Sequence, residues 1–209
     1  KGLEEKEVVL DIALRLQRLL QKAGWQVVLT RGTDTYIPLG KRTAIANREK
    51  ANLFISLHTN ASSRPRAKGI ETYFLNPRYN GQGESVVIRK NGTSAKSMDK
   101  LQHILYDLKL TSNIEESNRL ADTIQSSLIL KLKKRYPDIV DLGVKQASFY
   151  VLVGAQMPSV LVEISFLSHP NEEARLAKKG YRDMVSRALL VGIRHYRAHI
   201  QKRGIGAKR

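Results

Sequence analysis

Helix-like and strand-like patterns alternate over the first 75 residues, and this alternation constrains the fold more than any other feature. Apolar residues recur three and four positions apart over residues 5–20, which predicts an amphipathic helix that stops at Gly24. Short apolar runs predict strands at 25–30, 53–57 and 69–75. Between the first two of these strands, a periodic segment predicts a helix at 39–51. The alternation predicts an α/β layer fold.

The second half repeats the pattern after an interruption. Residues 76–97 are rich in Gly, Asn, Ser and Lys, which is typical of a loop-like insertion. Predicted elements follow: helices at 98–110 and about 115–136, strands at 147–153 and 159–166, and a closing helix at 181–200. The sequence thus predicts five strands in one domain, and 209 residues suffice for a sizeable core.

The charge of the chain is unusual. Lys and Arg number 36 against 19 Asp and Glu, which gives a net charge of +17. Such a field attracts polyanions, including nucleic acid, acidic lipid headgroups and an anionic cell wall. The chain has no nucleic-acid-binding motif and no run near the roughly 18 apolar residues of a membrane span. We therefore predict neither a nucleic-acid partner nor a membrane span, and we expect a monomer.

Cysteine is absent, which excludes disulfides and thiolate zinc sites and is compatible with an oxidising compartment. The chain opens on Lys1 without an initiator methionine. We expect a processed product or a fragment.

Two ionisable residues end or interrupt apolar strands. His58 follows the strand at 53–57 and is either a structural core residue or a residue that takes part in catalysis or ligand binding. Glu163 interrupts the run "SVLVEISF", where an ionised carboxylate costs several kcal/mol unless it is paired, metal-bound or protonated. Glu163 is either a salt-bridged structural residue or a catalytic carboxylate. Because ligands of open α/β sheets lie at the carboxyl ends of strands, the two side chains are candidates for one shared crevice.

A third ionisable residue points toward the same sheet. Glu5 falls on the apolar stripe of the first helix, whereas Glu4 and Glu7 do not. A carboxylate in a first turn also complements the helix dipole, which is the alternative interpretation. A hydrolytic zinc site uses three N or O ligands, a water and a carboxylate base. One His and two Glu residues, in a chain without cysteine, are of the residue types that such a site needs.

Several segments resemble one family in the order in which they occur. They are "EEKEVVLDIALRLQRLLQKAGWQVVLTR", "LGKRTAIAN", "ANLFISLHTNAS", "GIETYFL" and "GVKQASFYVLVGAQMPSVLVEISFLSHPNEE". Over about residues 2–200 the chain resembles the zinc-dependent N-acetylmuramoyl-L-alanine amidases of the bacterial cell-division type. The resemblance implies hydrolysis of the amide between N-acetylmuramic acid and L-alanine of peptidoglycan, in wall remodelling or daughter-cell separation. It also implies an exported protein, periplasmic or wall-associated.

The resemblance assigns roles to individual residues. It implies Zn²⁺ as cofactor, Glu5 and His58 as zinc ligands, and Glu163 as the catalytic base that later acts as acid. Asn60 is expected to donate to the substrate or to orient a ligand. His195 and His199 have a helical i, i+4 metal-binding spacing, but no metalloprotease glutamate lies between them, and solvated histidines are the expected interpretation.

The family fold implied is a mostly parallel sheet of about six strands with helices on both faces. The first strand of that fold, which carries another histidine ligand, has no counterpart in the sequence and is expected upstream of Lys1. We therefore expect residues 1–209 alone to lack stoichiometric zinc and to be inactive.

The predicted organisation is an amidase domain over residues 1–200, incomplete at its N-terminus, with an insertion at 76–113 and a basic tail at 201–209. Related division amidases are held inactive by an inserted helix that a partner displaces, so the insertion is predicted to be an inhibitory lid relieved by an activator protein. Glu84 is a candidate for the open zinc position, and a plain surface loop is the alternative. The alternative function is a non-catalytic protein that binds peptidoglycan or an anionic wall.

Overall fold

The computed structural model describes residues 2–64, 66–75, 100–202 and 204, with only the backbone of residues 100–112. The α/β class is confirmed. The helices are α1 Glu5–Lys22, α2 Leu39–Arg48, α3 Lys100–Lys133, α4 Pro170–Leu176 and α5 Lys179–Lys202, with a 3₁₀ turn at Tyr150–Leu152. The strands are β1 Phe54–Asn60, β2 Ile70–Phe74, β3 Asp141–Gln146 and β4 Ser159–Phe166.

The described strands form one mixed sheet in the order β1-β4-β2-β3. Strand β4 pairs with β1 in parallel and with β2 in antiparallel orientation, whereas β2 and β3 are parallel. The expected sheet of about six mostly parallel strands is therefore not confirmed, because the described residues form four strands of mixed direction.

Helices cover both faces of this sheet, and the alternation of side chains along β4 explains why. Val160, Val162 and Ile164 point into one core with the apolar stripe of α1 and with helices α3 and α5. Leu161 points the other way, into a smaller core with Ala46 of α2 and the 3₁₀ turn. Every residue of β4 is buried as a consequence.

The predicted strand at 25–30 is wrong. These residues form no strand, although the first four alternate in burial. Within the described part of the chain, β1 is an edge strand that pairs only with β4, and residues 25–30 hydrogen-bond to no neighbouring strand. The apolar pattern of a strand is present, but a strand also requires a hydrogen-bonding neighbour.

The predicted strand at 147–153 is also wrong. The strand lies just before it, at β3, and Tyr150–Leu152 form the 3₁₀ turn instead. Strand β3 is a polar edge strand with Gly143 at a φ of 77°, so it lacks the apolar pattern by which strands are found. The apolar residues Val151 and Leu152 are buried against Ala46 in the smaller core.

The two helices predicted at 98–110 and 115–136 are one helix, α3. The residues between the predicted helices include neither proline nor glycine, so nothing in them interrupts the backbone hydrogen bonds. Residues 76–99, with the predicted lid and Glu84, lie outside the described residues. The lid, its activator and the domain boundaries stay predictions.

The Asp11 carboxylate links helix α1 to α5, in addition to the contacts of the apolar stripe of α1. The Asp11 carboxylate accepts hydrogen bonds from Arg15 in the same helix, at 3.1 Å, and from Arg182 of α5, at 3.2 Å. Burial raises the pKa of Asp11, but the hydrogen bonds from the two guanidinium groups outweigh this effect and the pKa lies below its ordinary value. The ionised form of Asp11 thus ties the helix that carries Glu5 to α5.

We predict that Asp11→Asn lowers the free energy of unfolding at pH 7 by about 1–2 kcal/mol. A carboxyl whose pKa is depressed on folding stabilises the fold above its unfolded pKa, and this stabilisation disappears as the pH falls through the folded pKa. The difference between the variant and the parent should therefore be largest near pH 7 and shrink below about pH 4. Urea unfolding at pH 7 and pH 3 measures it.

Asp183→Asn is the matched control, because Asp183 pairs with Arg187 within one turn of exposed α5 surface. The Asp183→Asn substitution should change the free energy of unfolding at pH 7 by no more than about 0.5 kcal/mol. An Asp11→Asn effect that is equal at both pH values would contradict the proposed role of the ionised carboxylate.

Candidate functional site

Strand register brings ionisable side chains from four strands onto one face of the sheet. His58 of β1 is the register partner of Glu163 of β4, and Glu163 is in turn the partner of Glu71 of β2. Lys145 of β3 reaches back to Glu71, and Glu5 of α1 reaches His58 from the other side. We call Glu5, His58, Glu163, Glu71 and Lys145 the polar row.

At one end of the polar row, Glu5 and His58 contact each other directly. Oε1 of Glu5 lies 2.9 Å from Nδ1 of His58 and accepts the backbone N–H of Thr59 at 3.1 Å. Because an ionised carboxylate only accepts hydrogen bonds, the Nδ1 of His58 donates to Glu5, and Nε2 lies 3.1 Å from the hydroxyl oxygen of Ser56. Burial raises the pKa of Glu5, but the hydrogen bonds from His58 and Thr59 hold it below the ordinary value.

Glu163 lies in the middle of the polar row and is only 8% exposed. Its Oε2 atom is buried and has no hydrogen-bond partner among the described residues. Burial raises the pKa of Glu163 to about 7; the nearby His58 opposes this rise, and the carboxylates of Glu5 and Glu71 add to it. A carboxyl group in this state both accepts and donates a proton near neutral pH.

Glu71 is also buried, at 3% exposed, but its carboxylate is fully partnered. It accepts hydrogen bonds from Nδ2 of Asn60 at 2.7 Å and from Nζ of Lys145 at 2.5 Å. The amide of Asn60, expected to contact the substrate or a ligand, is thus directed at Glu71. Sequence reasoning missed Glu71 although it interrupts the strand "GIETYF" as Glu163 interrupts its own. Lys145 carries no comparable signal in so basic a chain.

The donor atoms at the Glu5 end are of the kind that zinc binds. Zinc takes histidine nitrogen and carboxylate oxygen at about 2.0–2.2 Å, so two such donors 2.9 Å apart can touch one ion. The structure gathers no set of three or more His, Cys, Asp or Glu groups around a metal position within the described ranges. The residues present therefore fit part of a catalytic zinc site, which normally has three protein ligands.

A cavity of about 730 Å³ opens beside this donor pair. It is lined by β1, by residues 25–31 and by the side of α1 that carries Val9, Ala13 and Leu16. Glu5, His58 and Arg42 also line it. The cavity thus follows the unpaired edge of β1 and reaches the Glu5–His58 pair.

The rival pair at the end of α5 is not part of this site. His195 and His199 are both exposed, and Nε2 of His199 lies 2.8 Å from a guanidinium nitrogen of Arg119. Of the helices that the structure describes, none is long and apolar enough to cross a membrane.

Several known proteins that are similar to this chain are named for the same activity. The family model described as N-acetylmuramoyl-L-alanine amidase matches residues 1–195. The amidase AmiA of Escherichia coli (strain K12) is 34% identical over 218 residues, which cover 97% of this chain and 74% of AmiA. The amidase AmiC of Neisseria meningitidis is 31% identical over 212 residues, and the chain spans about half of its length, 50%.

Solved structures give the same result. An N-acetylmuramoyl-L-alanine amidase of Clostridium difficile 630 has a TM-score of 0.70 at 29% identity, and the match covers 94% of this chain and 85% of the amidase chain. The amidase AmiC2 of Nostoc punctiforme has a TM-score of 0.68 at 27% identity, with coverages of 93% and 84%. Sequence, fold and the resemblance of the motifs agree, and the chain belongs to the N-acetylmuramoyl-L-alanine amidase family.

Proposed function

We propose that the protein hydrolyses the amide bond between N-acetylmuramic acid and L-alanine of peptidoglycan. The observation that carries this proposal is the unpartnered, buried Oε2 of Glu163 beside the Glu5–His58 donor pair. A non-catalytic wall-binding protein would gain nothing from a carboxylate buried at this cost. Its affinity for anionic polymers would need only the net charge of +17.

The proposed cofactor is zinc, held by Glu5 and His58 together with a third ligand. When bound, zinc polarises the carbonyl group of the scissile amide as a Lewis acid. The third ligand is proposed to be a histidine on a strand that precedes Lys1 and pairs with the open edge of β1. The cavity between β1 and residues 25–31 supports this proposal, because a strand inserted there would satisfy the backbone of β1 and end near His58.

Glu163 is proposed to move the proton in the reaction. Its carboxylate takes a proton from the attacking water while the carbon–oxygen bond forms at the lactyl carbonyl. It then returns this proton to the nitrogen of L-alanine as the carbon–nitrogen bond breaks. The products are a muramic acid with a free lactyl carboxyl group, which keeps the second proton of the water, and a peptide with a free amino terminus, so atoms and charge balance.

The cellular role follows from the substrate. Peptidoglycan lies outside the cytoplasm, so the protein is proposed to be exported to the periplasm or wall, in wall remodelling or daughter-cell separation. An activator protein that acts on the insertion at 76–113 belongs to the same proposal.

We predict that Glu163→Gln in the full-length protein lowers hydrolysis of purified peptidoglycan by about 10²- to 10⁴-fold, because the amide of Gln cannot carry the proton. Zinc content and circular dichroism should stay at parent values. Glu115→Gln, on the exposed surface of α3, is the control and should keep full activity. Near-normal turnover by the Glu163→Gln protein with zinc retained would refute the assigned role.

We predict further that residues 1–209 alone lack stoichiometric zinc, whereas the protein extended upstream binds about one zinc per chain, because two protein ligands hold the ion less tightly than three. Elemental analysis after dialysis compares the two proteins. One zinc per chain in the short protein would show that the proposed third ligand is not needed.

A further inference from the structure

The end of the polar row opposite to Glu5 has no role in the hydrolysis proposed above. We propose that Lys145 is a substrate-binding residue that recognises a carboxylate on the peptide side of the scissile amide, one residue beyond L-alanine. This inference rests on the proposed function and names the substrate feature that the same site selects.

Lys145 supplies a cation whose position is fixed. Its ammonium group is anchored at 2.5 Å to the buried carboxylate of Glu71, which the amide of Asn60 holds from the other side at 2.7 Å. It also lies 5.9 Å from the ring centre of Tyr73. A flexible lysine normally loses much side-chain entropy when it binds a ligand, and here the fold has already ordered it.

The ammonium group also remains available to a ligand. The Lys145 side chain is 43% exposed, whereas that of Glu71 is 4% exposed. An ammonium group has three N–H donors, of which Glu71 takes one. The other members of the polar row are three carboxyl groups and a histidine, so Lys145 is the member that attracts an anionic group on the substrate.

The spacing along the polar row matches that of a peptide. Neighbouring strands lie about 4.8 Å apart, so the backbones of β4 and β3, with β2 between them, are about 10 Å apart. Because Lys145 of β3 contacts Glu71 of β2, and Glu71 is the register partner of Glu163, strand spacing places its ammonium group roughly 5–10 Å from Glu163. An extended chain advances about 3.3–3.6 Å per residue, which puts a carboxylate on the second residue about 7 Å from the scissile amide.

The second residue of peptidoglycan stem peptides is linked through its side-chain carboxyl group, and its α-carboxyl group is either free or amidated. Two small ligands separate these cases: N-acetylmuramoyl-L-alanyl-D-glutamate, with the free carboxylate, and N-acetylmuramoyl-L-alanyl-D-isoglutamine, with a carboxamide. Titration calorimetry on the full-length, zinc-loaded Glu163→Gln protein measures binding without turnover. We expect the carboxylate ligand to bind about tenfold more tightly, as for one charge-assisted hydrogen bond.

Variants at position 145 locate this preference. Lys145→Met should bind the carboxylate ligand about tenfold more weakly and the carboxamide ligand as before, and Lys145→Arg should keep the preference. Lys133→Met removes an exposed lysine from the last turn of α3 and should change neither affinity. Because Lys145→Met leaves Glu71 buried without its cation, the double variant Glu71→Gln with Lys145→Met provides a neutral pair if the single variant fails to fold.

Three results would overturn the inference. The first is that the parent binds the two ligands with equal affinity, and the second is that it binds neither. The third is that the folded Lys145 variants lose equal affinity for both ligands, because a residue with only a structural role affects both alike. The inference is tested by binding and the proposed function by hydrolysis. A protein that hydrolyses peptidoglycan but does not discriminate the ligands retains its function and loses this role for Lys145.

Discussion

The position of β4 between β1 and β2 determines where His58, Glu163 and Glu71 lie. All residues of β4 are buried, so neither a slip in register nor a rotation of the strand is compatible with the core on both faces. Parallel pairing on one side and antiparallel pairing on the other then bring His58, Glu163 and Glu71 into line. The site is therefore a direct consequence of how the central strand packs.

Three glutamates are buried within the described residues, and the way in which each is compensated distinguishes their roles. Glu172, at 2% exposed, accepts the backbone N–H groups of Phe166 and Gly69, so it ties the end of β4 to the start of β2. Glu71 has Asn60 and Lys145 as partners. Glu163 alone keeps a buried oxygen without a partner, which is the arrangement expected of a group that must exchange a proton.

Sequence patterns predicted those parts of the fold in which apolar periodicity and burial coincide. Helix α1 and strands β1 and β4 were predicted for this reason. The same patterns single out Glu5 and His58, which contact each other in the structure. Strand β3 was missed because an exposed edge strand has no apolar alternation. The pattern at 25–30 predicted a strand, but a pattern cannot show whether a hydrogen-bonding neighbour is present. Lys145 is recognisable only once register places it beside Glu71.

Product analysis tests the central claim most directly. Purified peptidoglycan is digested with the full-length protein, and the soluble products are identified by mass spectrometry. The proposed amidase activity predicts intact stem peptides that begin with a free L-alanine amino group, and glycan strands whose muramic acids carry a free lactyl carboxylate. Products that still carry L-alanine on muramic acid, with the cut in the glycan strand or between two amino acids, would contradict it.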